Sequence, residues 1–159
     1  MDPKAQSVID NCKSSWPTYQ ADCSGFVKAV CAGLGVAMSA GLADDIVGYF
    51  RDAANTWEQL EDVTDGAGNV TTRKEVLAKA RADTGELVLC GLTSGELGQP
   101  HGHVAVIVSG DLVFSGLNNN YYPLAYWGKL GGVGGENKGL SYSFGTGSIN
   151  EVTYAAFIF

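Results

Sequence analysis

Apolar residues in the first half of the chain recur every three or four positions, with polar residues between them. This spacing is typical of amphipathic helices. It predicts four helices, over residues 4–12, 23–34, 42–55 and 73–82. Asp22 stands immediately before the second of them, where a carboxylate can cap the free N–H groups of the first turn.

After Gly85 the pattern changes to continuous or alternating apolar runs, which are typical of β-strands. These runs predict strands over residues 87–92, 103–109, 112–115 and 152–159. Gly110 and Asp111 predict a tight turn between the second and third strands. Helices followed by an antiparallel sheet indicate an α+β fold, in a single domain over residues 1–159.

Residues 118–147 interrupt the strands with a segment rich in Asn, Tyr and Gly. Long ordered segments of this kind are more often functional than not, because they must pack without regular backbone pairing. We expect this segment to bind substrate, with Tyr126 and Trp127 as candidate contacts. A flexible surface insertion is the alternative.

Composition and charge narrow the classes of function. The chain has 159 residues and a net charge of -7, with no basic cluster to neutralise phosphates, so we expect no nucleic-acid partner. The longest apolar stretch, residues 104–108, is too short for membrane insertion, and the first twenty residues lack the features of a Sec signal. Four cysteines without a C-x-x-C pair and only two histidines argue against a metal site.

Cys23 is a candidate nucleophile because it occupies the first turn of the second predicted helix. The aligned N–H groups and the dipole of a helix start favour the thiolate over the thiol. His103 begins an apolar strand, where an imidazole can take the thiol proton. His101 would share a strand face with it, and we favour His103 because the apolar strand begins there. Gly25 would let the helix approach the sheet closely.

Two segments, residues 22–27 (DCSGFV) and 102–107 (GHVAVI), resemble the Cys and His motifs of the NlpC/P60 peptidases, papain-like enzymes that cut peptidoglycan stem peptides. Within that group the chain is most similar to the type VI secretion amidase effectors, through residues 11–16 (NCKSSW), 103–110 (HVAVIVSG) and 127–134 (WGKLGGVG). The resemblance implies a papain-like fold, with N-terminal helices packed on a mostly antiparallel sheet, and no cofactor.

The same resemblance implies a papain-like mechanism, in which His103 deprotonates Cys23 and the thiolate attacks an amide carbonyl. The backbone N–H of Cys23 would be one oxyanion donor, and the Tyr19 hydroxyl is a candidate for another. Asp22 and Ser24 match positions that line the substrate groove in NlpC/P60 enzymes. For Asp22 the helix N-cap is an equally good explanation.

The third catalytic group, which would orient His103, departs from the family pattern. NlpC/P60 enzymes usually carry a polar residue on the strand after the histidine, and a hairpin count across Gly110 and Asp111 reaches Ser115. A backbone carbonyl or a residue of the 118–120 loop are the alternatives.

In functional terms, the resemblance implies an antibacterial effector: a cysteine amidase (D,L-endopeptidase) that cuts the D-Glu–diaminopimelate bond of stem peptides. Cleavage of the diaminopimelate–D-Ala cross-link is the nearest alternative. A catalytically silent peptidoglycan-binding module and a host-directed protease or acyltransferase are the others. We expect such a protein to be made in the cytoplasm, exported by a dedicated secretion machinery, and active in the periplasm of a target bacterium. Its producer would need an immunity protein that blocks the active-site cleft.

Overall fold

The main helices lie in the first half of the chain, as predicted. A computed structural model describes all 159 residues. The helices are α1 (Pro3–Tyr19), α2 (Cys23–Gly33), α3 (Ala43–Arg51), α4 (Lys74–Asp83) and α5 (Ser94–Leu97), with 3-10 turns at Ala53–Asn55, Leu140–Tyr142 and Ile149–Glu151. None of the helices has the length and apolar character needed to cross a membrane.

Two helices end at different places from those predicted. α1 continues to Tyr19, because Trp16 and Tyr19 pack against the buried core and extend its apolar face. α3 stops at Arg51, since Asp52 leaves the helical conformation. Asp52 instead caps a separate 3-10 turn, where its carboxylate accepts a hydrogen bond from the Ala54 N–H at 2.9 Å.

Six strands form one antiparallel sheet in the order β1-β10-β4-β5-β8-β9, while β2 with β3 and β6 with β7 form separate hairpins. The strands are β1 (Glu58–Leu60), β2 (Val63–Thr64), β3 (Val70–Thr72), β4 (Leu87–Leu92), β5 (His103–Ile107), β6 (Val113–Ser115), β7 (Asn120–Tyr122), β8 (Leu124–Trp127), β9 (Gly135–Gly139) and β10 (Thr153–Phe157). The predicted α+β class with a mostly antiparallel sheet is confirmed, and the arrangement is compatible with a papain-like fold.

The predicted hairpin across Gly110 and Asp111 is wrong. On the side of β5 away from β4 the neighbouring strand is β8, and the Val108 N–H donates to the Leu124 carbonyl at 3.0 Å. Gly110 adopts a φ of 150° where the chain leaves β5, and β6 pairs with β7 instead. Burial explains the outcome, because β8 brings three buried side chains into the sheet whereas every side chain of β6 is partly or fully exposed.

The main sheet separates two apolar cores. Helices α1, α2 and α3 cover one face, which we call the helical face, in a cluster of 20 buried residues. Helix α4 covers the other, which we call the α4 face, in a cluster of 17. Alternation along β4 shows the division, since Leu87 and Leu89 face the first core while Val88 and Cys90 face the second.

Candidate active site

Helix α2 begins at Cys23 because Asp22 caps it. Asp22 Oδ1 accepts hydrogen bonds from the Gly25 N–H at 2.9 Å and from the Ser24 hydroxyl at 3.1 Å. A Cβ at Gly25 would lie 2.2 Å from the Asp22 carboxylate and 2.8 Å from the Tyr19 ring. The glycine therefore makes room for the cap itself, while the N–H groups of Cys23 and Ser24 act on the thiol.

The sheet opens between β5 and β8 where the thiol lies. Val106 stands opposite Tyr126, and the same register would place Gly128 opposite Val104. Gly128 instead packs against the turn before α2, since a Cβ on it would lie 2.3 Å from the Tyr19 carbonyl oxygen. The Val104 N–H thus has no partner on β8. It donates a hydrogen bond to the Cys23 thiol instead, which lowers the pKa of the thiol.

His103 is the first residue of β5 and is held from outside the sheet. Its Nε2 lies 2.6 Å from the Ser143 hydroxyl oxygen, just after the 3-10 turn Leu140–Tyr142. The Phe144 ring packs edge-on against the imidazole, with ring centroids 5.0 Å apart. Because Ser143 engages Nε2, the imidazole nitrogen left for a proton donor is Nδ1.

Cys23 and His103 line the same cleft, which has a volume of about 1000 Å³. Three further predicted site residues, Asp22, Ser24 and Trp127, line it as well. The cleft therefore gathers the first turn of α2, the start of β5 and the end of β8 around one space.

Three predicted site residues lie outside the cleft. Tyr126 is 1% exposed and packs into the core of the helical face, because it points to the opposite side of β8 from Trp127. Its burial raises the pKa of the phenol to about 12. The structure therefore does not place Tyr126 in the cleft as predicted, whereas its neighbour Trp127 lines the cleft.

Ser115 and Tyr19 also lie outside the cleft in which we predicted them. Ser115 lies in the β6–β7 hairpin, where its hydroxyl accepts a hydrogen bond from the Asn118 amide at 2.8 Å. The hydroxyl beside His103 belongs to Ser143, so the expectation for Ser115 and that for the 118–120 loop are both corrected. Tyr19 packs against the core of the helical face and does not line the cleft.

Burial dominates the electrostatics of the thiol. It raises the pKa of Cys23, and the Asp22 carboxylate adds to the increase. The N–H groups of Val104, Ser24 and Cys23 itself lower the pKa, but by less. The helix start acts with the predicted sign, yet the predicted net preference for the thiolate is wrong because the buried thiol loses more hydration than these donors replace.

The imidazole is shifted in the opposite direction. Burial lowers the pKa of His103 to about 4, and the positive charge of Lys129 contributes in the same sense. At neutral pH the site therefore contains a neutral thiol and a neutral imidazole. This arrangement suits proton transfer to His103 during attack, rather than a thiolate formed in advance.

Ser143 is the main residue of the site that the sequence did not single out. It lies 40 positions after His103 in an irregular stretch, so no periodicity connects the two. The only available signal was its position within the 118–147 segment, which was predicted to bind substrate. No group of three or more His, Cys, Asp or Glu side chains in the protein is arranged to hold a metal ion.

A helix that begins at a buried thiol and packs on an antiparallel strand that begins at a histidine is compatible with a papain-like fold. No family model matches the chain. It is 33% identical over 147 residues to the peptidoglycan amidase Tse1 of Pseudomonas aeruginosa, a match that covers 88% of this chain and 80% of Tse1. The chain belongs to the family of that peptidoglycan amidase.

Proposed function

We propose that the protein is a cysteine amidase that hydrolyses peptide bonds in peptidoglycan stem peptides. The observation that carries the proposal is the shared cleft, in which Cys23 lies at a helix start and His103 is held by Ser143. The relationship to a peptidoglycan amidase supports the substrate class.

In the proposed reaction His103 Nδ1 takes the proton from the Cys23 thiol as Sγ attacks the amide carbonyl carbon. The backbone N–H of Cys23 donates to the resulting oxyanion, a contribution typically worth about 100- to 1000-fold in rate. The tetrahedral intermediate collapses to a thioester, and the imidazolium gives its proton to the departing amine. Water then attacks the thioester while His103 takes its proton, which releases the carboxylic acid and restores the thiol.

Ser143 serves as the positioning residue in this mechanism. A hydroxyl 2.6 Å from Nε2 restrains rotation of the ring and leaves Nδ1 free to take the thiol proton in the proposed reaction. Its neutral oxygen adds no negative charge near the imidazole, which agrees with the lowered pKa of His103.

Within the stem peptide we propose the D-Glu–diaminopimelate bond as the one that is cut. The test is digestion of purified sacculi, followed by mass spectrometry of the released muropeptides. We expect the wild-type protein to produce fragments with a new diaminopimelate amino terminus, and Cys23→Ala to produce none. Loss of cross-linked dimers without that fragment would assign the alternative diaminopimelate–D-Ala bond. Unchanged muropeptides with wild-type protein bound to the sacculi would instead support a silent binding module.

We further propose that the protein is an exported antibacterial effector with a cognate immunity protein that blocks the cleft. Three exposed apolar side chains at the cleft support such a docking surface: Leu42, Leu130 and Tyr142 are 66%, 58% and 75% exposed. We expect the protein to lyse cells when directed to the periplasm and not when kept in the cytoplasm. The immunity proposal would be contradicted if the bacterium that makes the protein encoded no partner that binds it, and none that protects cells in which it is directed to the periplasm.

A further inference from the structure

The one permanently positive side chain of the cleft has no ion-pair partner within the protein. The cleft is lined by four carboxylates and by a single side chain with a permanent positive charge, Lys129. None of the ion pairs in the protein includes Lys129. In a chain with a net charge of -7, an unpaired ammonium in the cleft that contains the thiol is a feature that the proposed chemistry does not by itself require.

The four carboxylates, in contrast, all interact with other groups of the protein. Asp22 accepts from Gly25 and Ser24, Asp44 accepts from the Ser94 N–H, Asp45 accepts from the Leu42 N–H, and Glu96 pairs with Arg51. Their negative charge disfavours an anionic ligand close to them. A substrate carboxylate in the cleft therefore has one favourable position, next to Lys129.

The backbone holds Lys129 in place. Its N–H donates to the Gln20 carbonyl at 3.0 Å, and its own carbonyl accepts from the Gly132 N–H at 3.0 Å in a turn that contains Gly131 at a φ of 75°. The Gly134 N–H donates to the same Gln20 carbonyl at 2.8 Å. The loop that carries Lys129 is thus fastened to the turn directly before the Cys23 helix.

Lys129 lines the same cleft as Cys23 and His103, and its positive charge contributes to the lowered pKa of His103. The aliphatic part of Lys129 passes close to Gly132, where a Cβ would lie 3.5 Å from its Cδ. A positively charged group so placed can reach a carboxylate that neighbours the scissile bond.

Resting on the proposed function, the substrate chemistry supplies such a carboxylate. In a stem peptide D-Glu is joined to the next residue through its γ-carboxyl group, which leaves its α-carboxylate free on the acyl side of the bond. We propose that Lys129 binds this α-carboxylate and thereby determines specificity for the D-Glu–diaminopimelate bond. The diaminopimelate–D-Ala cross-link has no γ-linked glutamate on its acyl side.

The test uses two synthetic stem peptides that differ only in this group: one with D-Glu and one with D-isoglutamine, in which the α-carboxylate is an amide. We expect Lys129→Met to lower kcat/KM on the D-Glu peptide about 10-fold, since a charge-assisted contact of this kind is lost. On the D-isoglutamine peptide, Lys129→Met and wild type are expected to be equal. Lys129→Arg should retain most of the activity on the D-Glu peptide.

Lys138→Met is the matched control, because Lys138 is exposed on β9 and does not line the cleft. We expect it to match wild type on both peptides. Equal losses for Lys129→Met on both peptides, or no loss on either, would overturn the proposal while leaving the amidase function intact. Failure of the wild-type protein to cleave either peptide, or sacculi, would overturn both.

Discussion

The cleft and the core of the α4 face bury ionisable groups under different conditions. In the cleft, Cys23 is buried beside backbone donors, and His103 is held by its partner Ser143. On the α4 face, Glu75 Oε2 and the Tyr154 hydroxyl are buried without a hydrogen bond, and neither residue lines the cleft. Burial raises the pKa of Cys23, Glu75 and Tyr154 alike. A shifted pKa therefore marks a candidate site only where access and partners accompany it.

The largest contrast is expected in thiol reactivity. Cys23 is 8% exposed, whereas Cys12, Cys31 and Cys90 are 0% or 1% exposed. We expect iodoacetamide at pH 8 to label Cys23 at least about 1000-fold faster than the other three, since they react only after an opening that costs a large part of the folding free energy. Mass spectrometry of tryptic peptides measures the rates, and all four should react similarly in denaturant. Labelling of Cys90 together with Cys23 would remove the distinction between the cleft and the buried core of the α4 face.

The second prediction concerns pH. A general base acts in its neutral form, so a pKa of about 4 keeps His103 competent down to about pH 5. At pH 5 the neutral fraction is about 30-fold higher than for an imidazole with an ordinary pKa of about 6.5. We expect kcat/KM to be nearly constant from pH 7 to pH 5 and to fall below about pH 4. An acid limb near pH 6.5 would contradict the burial of the imidazole.

Ser143→Ala is expected to lower kcat about 10-fold with little change in KM, because the imidazole loses its restraint while substrate contacts remain. Ser143→Thr keeps a hydroxyl and should recover most of the rate. Ser141→Ala is the control, since Ser141 does not line the cleft. A loss of kcat in Ser143→Ala that follows only from a lower Tm, with no recovery in Ser143→Thr, would indicate a structural role.

On the α4 face the smallest effect is expected, and on stability rather than activity. Glu75 is 1% exposed, and its Oε2 lies 3.1 Å from Arg73 Nη2 without the alignment of a hydrogen bond. Burial raises the pKa of Glu75, so the folded state favours the protonated form. That contribution is present below the ordinary pKa of a glutamate and is lost as pH rises through the raised value.

Glu75→Gln removes the buried charge at neutral pH. We expect a gain on the order of 1 kcal/mol, or about 2–4 °C in Tm, at pH 7 and almost none at pH 4. Arg73 keeps its contact with the Tyr122 ring, 5.6 Å from the centroid. Differential scanning calorimetry at the two pH values gives the comparison, with the exposed Glu61→Gln as control. A lower Tm at pH 7 would mean that the Arg73 pair outweighs the burial.

Local signals in the sequence were sufficient for much of the fold. The helical spacing, the Asp22 cap and the apolar runs of β4, β5 and β10 depend on neighbouring residues, and these elements were predicted close to their observed positions, apart from the ends of α1 and α3. The pairing of β5 was not, because strand partners are chosen by burial across the whole chain. Val113–Ser115 is nearer in sequence than Leu124–Trp127, but only the latter brings buried side chains.

The same distinction between local signals and burial across the whole chain applies to the predictions for the site. Cys23 and His103 were placed by short motifs, and the structure brings both to one cleft, while their catalytic roles stay predictions. Tyr126 and Trp127 are adjacent aromatic residues, so composition did not distinguish the one that faces the core from the one that faces the cleft. The net shift of the Cys23 pKa depends on burial, which no local pattern reports.

The hydrogen bond from the Trp16 indole N–H to the Trp127 carbonyl, at 3.0 Å, joins residues 111 positions apart. The Lys129 and Gly134 N–H groups likewise donate to the Gln20 carbonyl. The cleft therefore forms only when the end of α1 and the segment after β8 come together, which closes a loop that includes most of the chain. Contacts with such sequence separation form late in folding, because the entropy of loop closure must be lost before they are gained. A chain that is only partly folded, as during synthesis or passage through a narrow channel, therefore has its helices without having a cleft. Catalytic competence should emerge in a single late step, after most of the helical signal has already appeared.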